Sequence, residues 1–253
     1  MLEKIKHVIG MPIHATDREL GKVRDLFFDD CHWAVRYLVV ETGGWLGGRK
    51  VFISPQSAEF PAGDAEAITV RLTGEQVENS PPVTEHMPVS RQKEAELAQF
   101  FGWTPYWAPV GLNVGGPYAN MAEADVAVTG SEAQTEDESE QVTEPHLRSA
   151  REVSGYRLRA SDGEIGHVED YLVGDDWVIR YFIVDTRTFW PGKKVLVAPV
   201  WIEQVRWDDN ELDLDMTRQQ IRSGPEYDPD QRVSRQFERS MHEHHGREGY
   251  WQQ

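Results

Sequence analysis

Few residues in this chain have the types and spacing that chemistry requires. His242, His244 and His245 cluster around Glu243, and on a helix 242 and 245 share a face, which could suit zinc or nickel, although a solvated C-terminal tail is the better reading. Asp208, Asp209, Glu211, Asp213 and Asp215 form an acidic run that would suit calcium only with a glycine-turned loop, which is missing. Glu211, Asp213 and Asp215 instead alternate with Leu212, Leu214 and Met216, the pattern of a strand with a solvated outer face. GGWLGGRK (43–50) has a phosphate loop's glycines. However, Arg49 intervenes, Val51 stands where a hydroxyl is needed, and a strand pattern rather than a helix follows. No G-x-S-x-G elbow, paired catalytic carboxylates or Cys/His nucleophile stands out, and a non-enzymatic protein with no cofactor and no catalytic residue is expected.

Aromatic side chains are better placed for contact than for catalysis. Trp45-Leu46 and Phe189-Trp190 sit on glycine- or proline-bearing tips, and Trp107 and Trp251 lie near segment ends. All six are candidate partner contacts, because large rings carry much of the binding energy at protein interfaces, with internal packing over the barrel ends as the alternative.

Self-comparison explains why these aromatics come in pairs. GMPIHATDRELGKVRD (10–25) matches GYRLRASDGEIGHVED (155–170) at an offset of 145. From Trp33 the offset is 144, pairing WAVRYLVVET (33–42) with WVIRYFIVDT (177–186), and GRKVFISP (48–55) with GKKVLVAP (192–199). The register continues through VSRQ at 89–92 and 233–236 to Tyr106-Trp107 and Tyr250-Trp251. The chain is a duplication of a unit of about 100 residues.

The domains expected are 1–110, a linker at 111–146, and 147–253. The 253 residues carry 26 Lys and Arg against 43 Asp and Glu, a formal net charge of −17. Residues 1–110 hold −4 of it and 147–253 hold −5, while 111–146 contain eight acidic residues and no Lys or Arg. That composition predicts a disordered, self-repelling tether. The acidity argues against nucleic acid as a partner. Cys31 alone forms no intrachain disulfide or cysteine-cluster metal site. No apolar run approaches membrane-spanning length and the start lacks a leader's apolar core, so a cytoplasmic protein without direct membrane insertion is expected.

Within each unit, Val23–Phe28 and Trp33–Thr42 read as strands around a short turn, followed by Lys50–Ile53 and the alternating Ile68, Val70 and Leu72. Five or six such strands predict a mainly β fold, with one small barrel per unit. If Phe28 faces Trp33 and Val173 faces Trp177, then Asp25 lies opposite Arg36 and Asp170 opposite Arg180, predicting two cross-strand ion pairs. Serines at 90 and 234 are placed as N-caps of helices over 90–101 and 234–245. Each helix should dock on its own barrel or on the other.

At these residues the chain resembles a known family. The G-x-x-x-x-A-[ST]-D-x-E-[LI]-G run, the W-x-[VI]-R-Y-x-[VI]-V-[ED]-T strand and the G-[RK]-K-V-x-[VI]-[SA]-P strand are similar to the PRC-barrel domain, over about 8–83 and 153–227. That domain forms the cytoplasmic part of the photosynthetic reaction-centre H subunit and the C-terminal half of the ribosome maturation factor family. The resemblance implies a β-barrel used for contact and assembly: a bacterial, stress-related tandem adaptor whose barrels pair as a pseudo-dimer or associate with a protein through their edges. Two other expectations stand beside it, an H-subunit-like role in electron or proton transfer and the binding of a metal or small ligand.

Overall fold

The computed structural model describes residues 1–44, 47–81, 90–107, 147–186 and 193–252. The strands are β1 (Leu2–Lys4), β2 (Pro12–His14), β3 (Glu19–Asp29), β4 (Ala34–Thr42), β5 (Lys50–Ile53), β6 (Ile68–Thr69), β7 (Leu147–Ser149), β8 (Arg157–Ala160), β9 (Gly163–Gly174), β10 (Ile179–Asp185), β11 (Lys194–Val197), β12 (Ile202–Arg206) and β13 (Glu211–Leu214). The helices are α1 (Ile5–Val8), α2 (Gly74–Glu78), α3 (Arg91–Phe101), α4 (Ala150–Val153), α5 (Arg218–Ser223) and α6 (Arg235–His244). The protein is mainly β, with two mixed sheets and a few short helices. The acidic segment 111–146 lies outside the described residues.

One sheet runs β5-β4-β3-β2-β6 and the other β11-β10-β9-β8-β13-β12. In each, one strand pair is parallel, β2 with β6 and β8 with β13, and the remaining pairs are antiparallel. β4 is rich in β-branched and aromatic residues and is buried at nearly every position, which covers both of its faces. The long strands β3 and β9 cross their neighbours closely at Gly21 (φ +148°) and Gly166 (φ +153°). A Cβ there would stand 2.0 Å from Glu41 O and 2.1 Å from Asp185 O, so only glycine fits. The Asp of the repeated A-[ST]-D motif also has a structural use. Asp17 and Asp162 accept the N–H of Gly74 and Arg218, the first residues of α2 and α5, each at 2.7 Å.

Sheet membership crosses the boundary between the repeats. β1 pairs with β9 of the second unit, and β7, at the start of the second unit, pairs with β3 of the first. Leu2 faces Gly174 and Leu147 faces Asp29, so the two exchanges are equivalent at the offset of 145. The buried apolar residues accordingly form one continuous cluster through both units. No helix among the described residues is long and apolar enough to cross a membrane.

Candidate functional site

The junction of the two units gathers most of the unusual geometry, and it corrects one expectation. Asp25 does not face Arg36, nor Asp170 Arg180. Asp25 lies opposite Val39, and Asp170 opposite Ile183. The reason is a pair of β-bulges: Phe27 faces Tyr37 while Phe28 faces Val35, leaving Arg36 unpaired, and Arg180 is left over in the same way between Ile179 and Tyr181. A bulge re-aims its side chain. Arg36 Nε therefore donates to Asp29 Oδ2 at 2.5 Å, and Arg180 pairs with Asp176.

Freed from the arginines, both aspartates reach across the junction. Asp170 accepts the backbone N–H of Lys6 at 3.0 Å. Asp25 accepts that of Arg151 at 3.2 Å and the Ser149 hydroxyl at 2.5 Å. Each carboxylate thus satisfies an otherwise unpartnered donor in the short helix that follows the other unit's exchanged strand. Burial raises both carboxyl groups above the usual aspartate range, against the lowering effect of these hydrogen bonds.

The units also bond directly. Val35 N–H donates to Trp177 O and Ile179 N–H to Trp33 O, both at 2.8 Å. Trp33 (φ 56°) and Trp177 (φ 61°) adopt the left-handed conformation, strained for so large a side chain. Packing across the junction holds them there. Trp33 meets Phe182 edge-on at 5.2 Å, and Trp177 meets Phe60 at 5.1 Å.

Beside the junction, each unit docks its trailing helix on its own sheet, through a cluster that is itself duplicated. Glu94 of α3 is buried and accepts from the Tyr106 hydroxyl at 3.0 Å, with Arg91 at 3.4 Å. Glu238 of α6 is equally buried, accepting from Tyr181 at 3.1 Å and Tyr250 at 2.9 Å, with Arg235 at 3.1 Å. Desolvation raises the Glu94 carboxyl, opposed by Arg91 and the tyrosine hydroxyls. Guanidinium groups stack on the outer rings: Arg36 lies 4.2 Å from the Tyr106 centroid and Arg91 4.3 Å from that of Trp107. Arg180 lies 4.1 Å from Tyr250 and Arg235 4.6 Å from Trp251. Sequence reasoning singled out Trp107, Trp251, Arg36 and Arg180 but missed Glu94 and Glu238. The equal spacing of each glutamate from its Tyr-Trp pair in both repeats was the available signal.

A cleft of about 460 Å³ opens between this cluster in the first unit and Asp176–Val178 of the second. Its walls include Arg36, Tyr37, Trp103, Tyr106 and Trp107.

The remaining candidates fall elsewhere. The histidine segment is no solvated tail: His242 is buried, with Nε2 3.1 Å from the Tyr181 hydroxyl, and His245 rests on Trp201 at 5.2 Å. Burial depresses both imidazoles, His245 to about 4. Neither shares a cluster of three or more potential ligands, and none exists among the described residues. Glu211 is no solvated face residue, since Arg157, Arg159 and Arg206 cover it. Trp45, Leu46, Phe189 and Trp190 lie outside the described residues.

Residues 2–77 match the family model of the PRC-barrel domain. A search of curated proteins finds no match to the chain.

Proposed function

We infer, from the PRC-barrel domain that the chain carries over residues 2–77, that this protein is a non-enzymatic interaction and assembly adaptor. Its second repeat acts as a further copy of the same module. Contact and assembly are what this domain implies, and the fold alone would leave the role open.

The observation that carries the reading is the duplicated arginine–aromatic stack. Arg91 on Trp107 and Arg235 on Trp251 present the same half-exposed surface twice. Arginine and tryptophan are the residues enriched where interfaces concentrate their binding energy. Strand exchange holds the two surfaces in one paired body, so a partner with two matching epitopes would gain avidity without new contacts.

The test is purification of the tagged full chain from its native cells after mild cross-linking. A protein partner in fixed ratio is expected, with recovery reduced by Trp107→Ala or Trp251→Ala and reduced further by both. A chain that purifies alone, or a partner indifferent to both substitutions, overturns the reading.

A further inference from the structure

The two units differ at one place where their frameworks coincide. At the positions equivalent to Ser57 and Ala98, the second unit carries Trp201 and His242. Those two rings meet at 5.1 Å, and His242 also packs on Trp251 at 5.1 Å and on Tyr181 at 5.9 Å. In the first unit the small Ala98 lines the open cleft beside the buried Trp103, which stacks on Phe101 and donates to Ser57 Oγ at 2.6 Å. The second unit keeps an opening at the equivalent place, lined by His242, Arg247 and Trp251, so the two clefts differ in their walls rather than in their presence.

The cleft of the first unit has specific chemistry. Its walls are the rings of Tyr37, Trp103, Tyr106 and Trp107, closed on the far side by Trp177 of the second unit. Arg36 donates to Asp29 through Nε, acts electrostatically on the buried Glu94 carboxylate, and lays its face over Tyr106. The side chain lines the cleft at 22% exposure, and neither Nη group has a hydrogen-bond acceptor among the described residues. The neighbouring acid on the opposite wall, Asp176, is already paired with Arg180. Arginine's planar fork matches a carboxylate in two parallel hydrogen bonds, and flat rings prefer aromatic walls. The volume falls within the roughly 300–1,000 Å³ of small-molecule sites. The chain's net charge of −17 opposes an anion only at long range, because salt screens beyond roughly 8–10 Å.

We propose that the cleft between Trp107 and Trp177 binds a small planar aromatic carboxylate, its ring against the tryptophan and tyrosine walls and its carboxylate on the Nη groups of Arg36. The site is composite, since the second unit supplies one wall. It goes beyond the adaptor reading and stands or falls separately from it.

Calorimetric titration of the full chain with 2-naphthoate, and with neutral 2-naphthalenemethanol as the isostere, tests this. One site per chain is expected, with the carboxylate bound about tenfold more tightly than the alcohol. Arg36→Lys keeps the charge and the Asp29 pair but loses the fork, and should shrink that preference to roughly twofold. Trp107→Ala, at a half-exposed position, should weaken both probes about fivefold by removing a stacking wall. Absence of saturable heat, two equal sites per chain, or a preference unchanged in a folded Arg36→Lys overturns the proposal. Should Arg36→Lys fail to fold, unchanged affinity in Trp107→Ala overturns it instead.

Discussion

The carboxylate of Asp170 accepts the backbone N–H of Lys6 at 3.0 Å across 164 residues of sequence, and Asp25 repeats the contact with Arg151 at 3.2 Å. These clamps close a quasi-symmetric interface of the isologous kind, in which each side gives and receives the same element. Stability of either unit is therefore tied to the presence of the other.

Removing a clamp should cost more than removing a surface ion pair. Asp25→Ala and Asp170→Ala are each expected to lower unfolding free energy by about 1–3 kcal/mol, because a buried donor loses a charged acceptor. Asp→Asn at either position keeps an acceptor oxygen and should cost less. Urea titration followed by circular dichroism reads both, and a loss below about 0.5 kcal/mol in the alanine variants would disprove the clamp.

Cutting the connection should not separate the units. With a protease site placed within 111–146 of the full chain, the cleaved halves are expected to co-elute at the intact mass on size exclusion. Two exchanged strands and the cross-unit packing of Phe28 with Tyr171, and of Trp33 with Phe182, hold them together. Elution as two separate halves in native buffer would show the exchange to be too weak to define one body.

The left-handed tryptophans offer a measure of stored strain. Trp33→Ala and Trp33→Gly both delete the ring, but glycine relieves the backbone at φ 56° and alanine does not. The glycine variant should exceed the alanine variant in stability by about 1 kcal/mol. Equal denaturation midpoints would mean that the junction imposes no such strain.

Acid acts on this fold in two opposing directions. Asp25, Asp170 and Glu94 have carboxyl groups raised by burial, so their contribution is fully present below the unfolded values near 3.8 and 4.5 and is lost as pH rises through the raised folded values. His242 and His245 are depressed from 6.5, so theirs is present above 6.5 and is lost as pH falls, for His245 through about 4. As pH falls below 6.5 the histidines thus destabilise, while the carboxylates stabilise once pH drops below their raised folded values. His245→Gln removes one destabilising group, and its melting temperature should fall less between pH 7 and pH 4.5 than that of the unmodified chain. Parallel curves for the two proteins would exclude His245 from the pH response.

Much of the architecture was legible in local pattern. Strands at 34–42 and 50–53, and helices capped by Ser90 and Ser234, follow from apolar alternation and serine chemistry within a few residues. The hairpin register was not legible, because a single bulge at Arg36 or Arg180 shifts all the pairing beyond it. Nothing in the local sequence marks a bulge there. The placement of Glu94 and Glu238 escaped for another reason. A glutamate on an amphipathic helix reads as solvent-facing until tyrosine hydroxyls from other segments converge on it.

The sequence by itself determined the duplication, the mainly β class and the paired aromatic ends, since repetition and period-two alternation are properties of the chain alone. Tertiary structure alone decided that the first strand of each repeat belongs to the other's sheet, and that Asp25 and Asp170 clamp the exchange rather than pair with arginine. It also decided that the two copies of a shared scaffold line their clefts with different side chains. An exposed sheet edge accepts any strand of suitable pattern, and the choice between equivalent edges is made by buried hydrogen bonds and ring packing that form only once both units are in place.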